Sequence, residues 1–313
     1  MSRRRNRGAP AQGRTQRETK QSKAQRLRPV GFLVDVIVPV YGEWGFLVNA
    51  LSQVEAAFNG MDDPSYRVIV VDNGTPGWEQ KNEEGEPNGV VISPEDQAAP
   101  AREYLRKQDI FFRLEENVGY PGALNAAAAR GNSPLIIVLT ADVLMEPGSF
   151  TELVREMDNP ETGVAGPLLR FPLDESPNGP PGGVQSAGIA FDIQGDPYHI
   201  FIGWSPENPR VKNRREMQGI TGACFITRRS LWEQIGGMAT IYGAGTYEDM
   251  DYCFQVRALG SKVIFQPNAE GFHYVGGSIM HGAAKGGFPL GVNSTIFKGR
   301  WAQHLQWDAF KWH

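Results

Sequence analysis

Three carboxylates fall within four residues in Glu248-Asp249-Met250-Asp251, directly after Gly245-Thr246-Tyr247. Carboxylates accept protons and hydrogen bonds and are hard oxygen ligands for cations. Acids at a helix start also suit the positive end of the helix dipole, and the residues alone leave both readings open. A second set of polar groups terminates apolar runs: Pro39-Val40-Tyr41, Asp72-Asn73 and Thr140-Ala141-Asp142. An acid at one strand end is weak evidence, because Asp is common in turns. Three such ends carry more weight. His273 completes the set, and as a single histidine it reads equally as a ligand and as a structural side chain.

These groups need a scaffold that brings them together, and the apolar pattern supplies one. Residues 34–40 and 67–72 read as buried strands, with apolar residues at helical spacing over 46–58 between them. That is a β-α-β unit, which implies a parallel pair with a right-handed crossover. Residues 135–139 form the strongest predicted strand, and further strands are expected at 110–114, 164–169, 188–191, 224–227 and 263–265. Helices are expected at 101–108, 121–130, 147–157, 229–235 and 247–259, whereas the Gly, Pro, Glu and Asn content of 75–100 predicts a long loop. In an open, largely parallel sheet, ligands bind beyond the carboxyl ends of the strands, so the three polar strand ends should share one edge.

The bulk composition narrows the class. At 41% hydrophobic and 21% charged residues, the chain is that of an ordinary globular protein. Its two cysteines, Cys224 and Cys253, suggest no disulfide framework, and no apolar run reaches the ~20 residues needed to cross a bilayer. A cytoplasmic location is therefore expected. Charge is uneven: of the 31 Lys and Arg and 35 Asp and Glu, residues 1–30 hold ten basic residues and one acid, leaving 21 and 34 on the rest. A leader over 1–31, poor in aromatic and β-branched residues, reads as disordered, either simply solvated or an arm for a polyanion. The chain from 279 to 313 carries Trp301, Trp307 and Trp312 as an aromatic tail.

In chain order stand Val38-Pro39-Val40-Tyr41, Val71-Asp72-Asn73-Gly74, Glu116-Asn117-Val118-Gly119-Tyr120, Leu139-Thr140-Ala141-Asp142, Thr221-Gly222-Ala223, Ile235-Gly236-Gly237, Tyr247-Glu248-Asp249-Met250-Asp251 and Phe272-His273. Each piece is short; the ordered set resembles glycosyltransferase family 2, in particular its rhamnosyl- and galactofuranosyltransferase-like members. The resemblance implies an α/β glycosyltransferase A fold over 32–278, with a nucleotide-binding half at 32–145 and an acceptor-binding half at 146–278. It implies an inverting enzyme using a UDP-, dTDP- or GDP-sugar and a divalent cation, Mn²⁺ or Mg²⁺. By the same resemblance Pro39, Tyr41, Glu43 and Asp72 receive the nucleotide, and Asn117, Gly119, Pro121, Asn125, Ala141 and Gly222 lie along the nucleotide-sugar. Asp142 and His273 hold the metal. Asp249 is the general base, supported by Glu248, and Thr221, Glu248 and Asp251 meet the acceptor.

One position departs from that pattern. The family usually has an acid two residues before the metal-binding aspartate, and here that residue is Thr140. Losing one anionic ligand shifts the expected metal binding onto the donor's diphosphate and His273. The acceptor is expected to be a glycan or, given the basic leader, modified DNA. Two other functions fit parts of the pattern. A nucleotidyltransferase shares the strand-end acids but needs a basic phosphate loop, and Val40-Tyr41-Gly42-Glu43 has no Lys or Arg. A non-catalytic sugar- or nucleic-acid-binding protein would explain Thr140 but not the retained Asp142, Asp249 and His273.

Overall fold

The computed structural model describes residues 31–61, 65–82, 84, 86–174, 178–276 and 287–312. The basic leader falls outside them, Gly31 apart. Strand β1 (Val34–Val40) is buried along its length and runs parallel to β2 (Tyr66–Asp72), with helix α1 (Trp44–Ala57) as the crossover. The expected loop at 75–100 is instead a hairpin, β3 (Trp78–Lys81) with β4 (Pro87–Ile92), followed by α2 (Pro94–Arg102). The helix expected at 101–108 thus lies earlier. Its start is written in Ser93-Pro94-Glu95-Asp96: the Ser93 side chain accepts from the Asp96 amide, Pro94 opens the helix, and two acids sit in its first turn.

Strand β5 (Ile110–Arg113), α3 (Gly119–Ala128) and β6 (Leu135–Leu139) complete the parallel half. The second half comprises β7 (Val143–Met145), α4 (Ser149–Glu156), β8 (Thr162–Arg170), β9 (Val184–Ser186), β10 (Ile189–Phe191), β11 (Pro197–His199), β12 (Arg215–Glu216), β13 (Cys224–Arg228), α5 (Arg229–Ile235), α6 (Glu248–Ala258), β14 (Lys262–His273) and α7 (Leu290–Trp301). The main sheet runs β12-β14-β8-β13-β6-β1-β2-β5, with β7 on β14 and β9 on β8. Pairing is parallel across β6-β1-β2-β5 and between β14 and β8, while β13 joins the halves antiparallel.

Alternation along β1 divides the core. Val36, Val38 and Val40 pack with α1 and α4 on one face, and Ile37 with the small residues Ala123 and Ala127 of α3 on the other. Asp35 is the exception inside this strand. Its fully buried carboxylate accepts from Arg67, Arg229 and the Ser133 amide, so the charge is matched where an apolar residue was the pattern. From β1 the chain moves outward to β2 and β5, then crosses back to β6 on the other side of β1. That reversal opens a crevice at the carboxyl ends of β1 and β6.

Strand β14 is longer than the expected 263–265. Its register with β8 jumps between Gln266 and Glu270, absorbing Pro267 and its neighbours as a bulge, and then continues to His273. The last three residues also pair with β7, His273 opposite Val143, and the Tyr274 amide donates to Asp142 O at 2.9 Å. His273 therefore ends a strand directly beside the Asp142 turn. Among the described residues no helix is long and apolar enough to cross a membrane.

Candidate active site

A cavity of about 280 Å³ opens at the crevice. Its nucleotide-side wall holds Pro39, Tyr41 and Glu43 from the end of β1, with Asn73 and Asn117. Glu43 Oε2 accepts from the Tyr41 amide at 3.1 Å and fixes the turn out of β1. Asn73 lashes the next segment down: its Nδ2 donates to Asn117 Oδ1 at 3.0 Å and its Oδ1 accepts from the Val118 amide at 3.0 Å. Gly119 has φ +77°, and a Cβ there would stand 2.0 Å from Gly243 O. Only glycine lets α3 start against that backbone.

Asp142 and His273 face each other across the same cavity, with Asp142 Oδ1 3.6 Å from His273 Nε2. Ligands about 2.1 Å from one ion stand roughly 3.0 Å apart at 90° and roughly 3.6 Å apart at 120°, so this oxygen–nitrogen pair can reach a shared divalent cation at the wide end of that range. His273 Nδ1 lies 3.3 Å from Gln185 Oε1. With its proton on Nδ1, directed to that amide oxygen, the ring presents the Nε2 lone pair toward Asp142. Thr140 lines the cavity, but its hydroxyl donates to Ala223 O at 3.2 Å, a carbonyl that a carboxylate at this position would repel. Among the described residues no group of three His, Cys, Asp or Glu side chains is arranged around a metal position. Asp142 and His273 are the two side chains of this wall whose chemistry and separation would allow them to share a cation.

The opposite wall is the start of α6. Asp249 Oδ2 accepts from the Gly222 amide at 2.7 Å and Oδ1 from the Met250 amide at 2.8 Å. Burial pushes the Asp249 carboxyl above the usual range, while these amide bonds pull it back. Glu248 is buried, and its Oε2 has no hydrogen-bond partner. Burial first, and then the neighbouring Asp249 charge, push its carboxyl well up. The chain enters α6 through Thr246 (φ 77°) and Tyr247 (φ 69°), a left-handed pair that non-glycine residues rarely adopt. Asn293 of α7 holds this strained entry: its buried Nδ2 reaches Tyr242 O, Gly245 O and Thr246 O at 2.8–3.1 Å.

A raised carboxyl has a stability signature. The folded state keeps the Glu248 proton to a higher pH than the unfolded chain. The stability this adds is full at low pH and is lost as pH rises through the folded-state pKa. Glu248→Gln is therefore expected to melt about 2–4 °C above wild type at pH 8, for a gain of roughly 1 kcal/mol. The gap should close toward pH 5. Calorimetric scans at the two pH values check this, and a pH-independent gap would rule out a buried charge as its cause.

Of the residues expected here from sequence, Pro39, Tyr41, Glu43, Asn117, Thr140, Asp142, Thr221, Gly222, Glu248, Asp249 and His273 share the cavity wall. Others do not. Asp72 is buried, and its oxygens accept from Arg113 at 2.5 Å and from the Thr75 amide at 2.9 Å. Asn125 pins the Gly236-Gly237 turn through both Met238 backbone groups. Pro121 and Ala141 are buried packing residues, and Gly119 serves the backbone contact above. Asp251 is fully buried and accepts from Tyr242, Gln255, Trp301 and Arg300. It braces α6 to α7 and does not reach the cavity.

Asn73, Tyr120, Thr246 and Phe288 also line the cavity; the first two belong to the strand-end and turn motifs quoted above without an individual role, and Thr246 and Phe288 had none. Tyr120 is the most informative. Its hydroxyl donates to Gly222 O at 2.7 Å, and Gly222 in turn donates its amide to Asp249. Tyr120 and Asn73 stand inside motifs already legible in the sequence, whereas Asn293, 47 residues after Thr246, left no local signal.

Residues 93–236 match the family model described as Glycosyl transferase family 2. Over that stretch, a little under half of its length, the chain is similar to glycosyltransferase family 2. A relative, the N-acetylglucosaminyl-diphospho-decaprenol L-rhamnosyltransferase of Mycobacterium tuberculosis, is 28% identical over 179 residues, 50% of this chain and 56% of that one. The chain spans 18% and 12% of the length of the first two curated relatives it matches. Its fold is similar to that of GalNAc-T7, solved with UDP, GalNAc and Mn²⁺, with a TM-score of 0.56 and 15% identity over 79% of this chain and 44% of that one. It is also similar to a mannosyltransferase from Pyrobaculum calidifontis, solved with GDP-Man and Mn²⁺, with a TM-score of 0.53 and 17% identity over 79% of this chain and 58% of that one. The fold is thus the glycosyltransferase A type. The family 2 match stops short of β1, β2, α6 and His273, so these parts of the cavity are tied to Asp142 by tertiary structure.

Proposed function

We propose that the chain moves a sugar from a nucleotide-sugar donor to a glycan hydroxyl with inversion at the anomeric carbon. The observation that carries this is the sharing of one cavity by the Asp142–His273 pair and the amide-anchored Asp249. The glycan acceptor is supported by the rhamnosyltransferase likeness; the nucleotide and the cation are supported by what the two similar folds hold. The nucleotide lies along Pro39, Tyr41 and Asn73, and its diphosphate reaches Asp142 and His273. Asp142 and His273 would hold a divalent cation, which would supply positive charge against that building on the departing diphosphate. Asp249 takes the proton of the acceptor hydroxyl as its oxygen attacks the anomeric carbon and the bond to the phosphate oxygen breaks. The Gly222 and Met250 amides hold both Asp249 oxygens, so the carboxylate cannot swing away from the acceptor. Glu248, with an unpartnered oxygen, receives a sugar hydroxyl.

Melting the protein with a panel of UDP-, dTDP- and GDP-sugars, with and without Mn²⁺, tests the reading. A donor at 100 times its Kd adds about 2.7 kcal/mol, or roughly 5 °C. Indifference to every donor in the presence of metal overturns it.

Tyr120 acts in this scheme as a positioning residue, through Gly222. Tyr120→Phe deletes one hydrogen bond, worth about 1 kcal/mol. A fivefold to tenfold fall in kcat is expected, with the donor KM nearly unchanged. A raised KM at unchanged kcat would place Tyr120 on the donor instead.

A further inference from the structure

We propose that the cavity between the C-terminal half of α6 and the segment after α7 is a second ligand site, which takes a sugar ring bearing a carboxylate or phosphate. The cavity measures about 360 Å³ and is bounded by Phe254 and Arg257 of α6, Trp301 at the end of α7, and Gln303, His304 and Gln306 beyond it. From Asp249 to Arg257 is eight residues along α6, about 12 Å of helix, so this site is separate from the active-site cavity.

Arg257 is the reason to expect a ligand. It is half-buried, and burial lowers its pKa, with Cys253, Glu216 and Asp308 acting the other way without offsetting it. Among the described residues its guanidinium makes no hydrogen bond or ion pair; its one specific contact is the Phe254 ring, 4.9 Å away. A cation in the last turn suits the helix dipole, but the dipole does not account for a half-desolvated guanidinium whose donors have no acceptor. Those donors open on the cavity, and their fork matches a carboxylate or phosphate.

The other walls suit the rest of such a ligand, and the Gln306 backbone and the Trp301 indole are held in place. Gln218 is buried and grips Gln306 by both backbone groups, its Nε2 donating to Gln306 O at 2.6 Å and its Oε1 accepting from Gln306 N at 2.8 Å. This leaves the Gln306 carboxamide for a ligand. The Trp301 indole is fixed by its 2.7 Å bond to Asp251 and by packing on Phe254 and His304. An aromatic wall, two free carboxamides and a guanidinium are a set suited to the apolar face, hydroxyls and charge of an acidic sugar. Because Trp301 and Asp251 link this wall to α6, the site belongs to the same rigid layer as the catalytic helix.

Calorimetric titration of the full chain with glucuronate, glucose 6-phosphate, glucose and inorganic phosphate tests this. At least one acidic sugar is expected to bind tenfold or more tightly than glucose and than phosphate, and which one identifies the anionic group. Arg257→Gln should abolish that advantage, Arg257→Lys should keep part of it, and Gln303→Ala with Gln306→Ala should weaken binding about threefold, each without changing the melting temperature. Asp249→Asn should leave it unchanged. The proposal fails if no acidic sugar binds up to about 10 mM. It also fails if Arg257→Gln binds like wild type, if phosphate alone matches the sugars, or if the Asp249 variant loses binding.

Discussion

Asp249→Asn should lower kcat by about a thousandfold or more while leaving donor affinity within a fewfold of wild type. A positioned general base contributes some 10²–10⁴ to rate, and the amide cannot take up the acceptor's proton. The substitution also turns an N–H₂ toward the Gly222 or Met250 amide, both of which are donors in the native structure. One of the two anchoring bonds is therefore lost, and the side chain becomes a misplaced non-base. Donor affinity is spared because the nucleotide-side wall and the Asp142–His273 pair are untouched. Wild-type turnover in this variant would refute the assignment of the base. The pH profile gives a second reading. Since burial raises the Asp249 carboxyl, the acidic limb of kcat/KM should lie above the ordinary aspartate range near 3.9, with activity rising as the proton leaves. That limb should vanish from the residual rate of the Asn variant.

Asp142→Ala is expected to reduce Mn²⁺-dependent donor affinity about a hundredfold, with little effect on the weaker binding measured without metal. Among the described residues Asp142 brings the one carboxylate to this pair, and its loss leaves the His273 imidazole as the single remaining ligand there. Thr140 cannot compensate, because its hydroxyl is committed to Ala223 O. His273→Ala should cost less, about tenfold, since the carboxylate survives. Titrations of donor with and without metal on the three proteins separate these effects. Equal loss with and without metal would instead show that Asp142 acts on the donor directly.

Much of this site could be read before any folding was considered. Continuous apolar runs such as 34–40 and 135–139 have one stable use, as strands buried on both faces, and polar residues at their ends must then meet at the sheet edge. This alone placed Pro39, Tyr41, Thr140 and Asp142 together, and the ordered motifs added Asp249 and His273. Local chemistry also encoded the start of α2 in Ser93-Pro94-Glu95-Asp96, although the glycine and proline content around it masked that signal.

Other features were decided only by tertiary structure, because they join residues far apart in the chain. Asp72 and Asp251 looked like site residues by type and position. Which atoms a carboxylate engages depends on neighbours such as Arg113, Trp301 and Arg300, contributed by other elements. The reach of His273 depended on a bulge that lets β14 resume pairing and meet β7. Asn293 and Tyr120 owe their roles to partners 47 and 102 residues away. A sequence specifies periodicity and side-chain chemistry along a line. Which hydrogen bonds those groups make is settled by long-range packing, once burial forces each polar atom to find a partner.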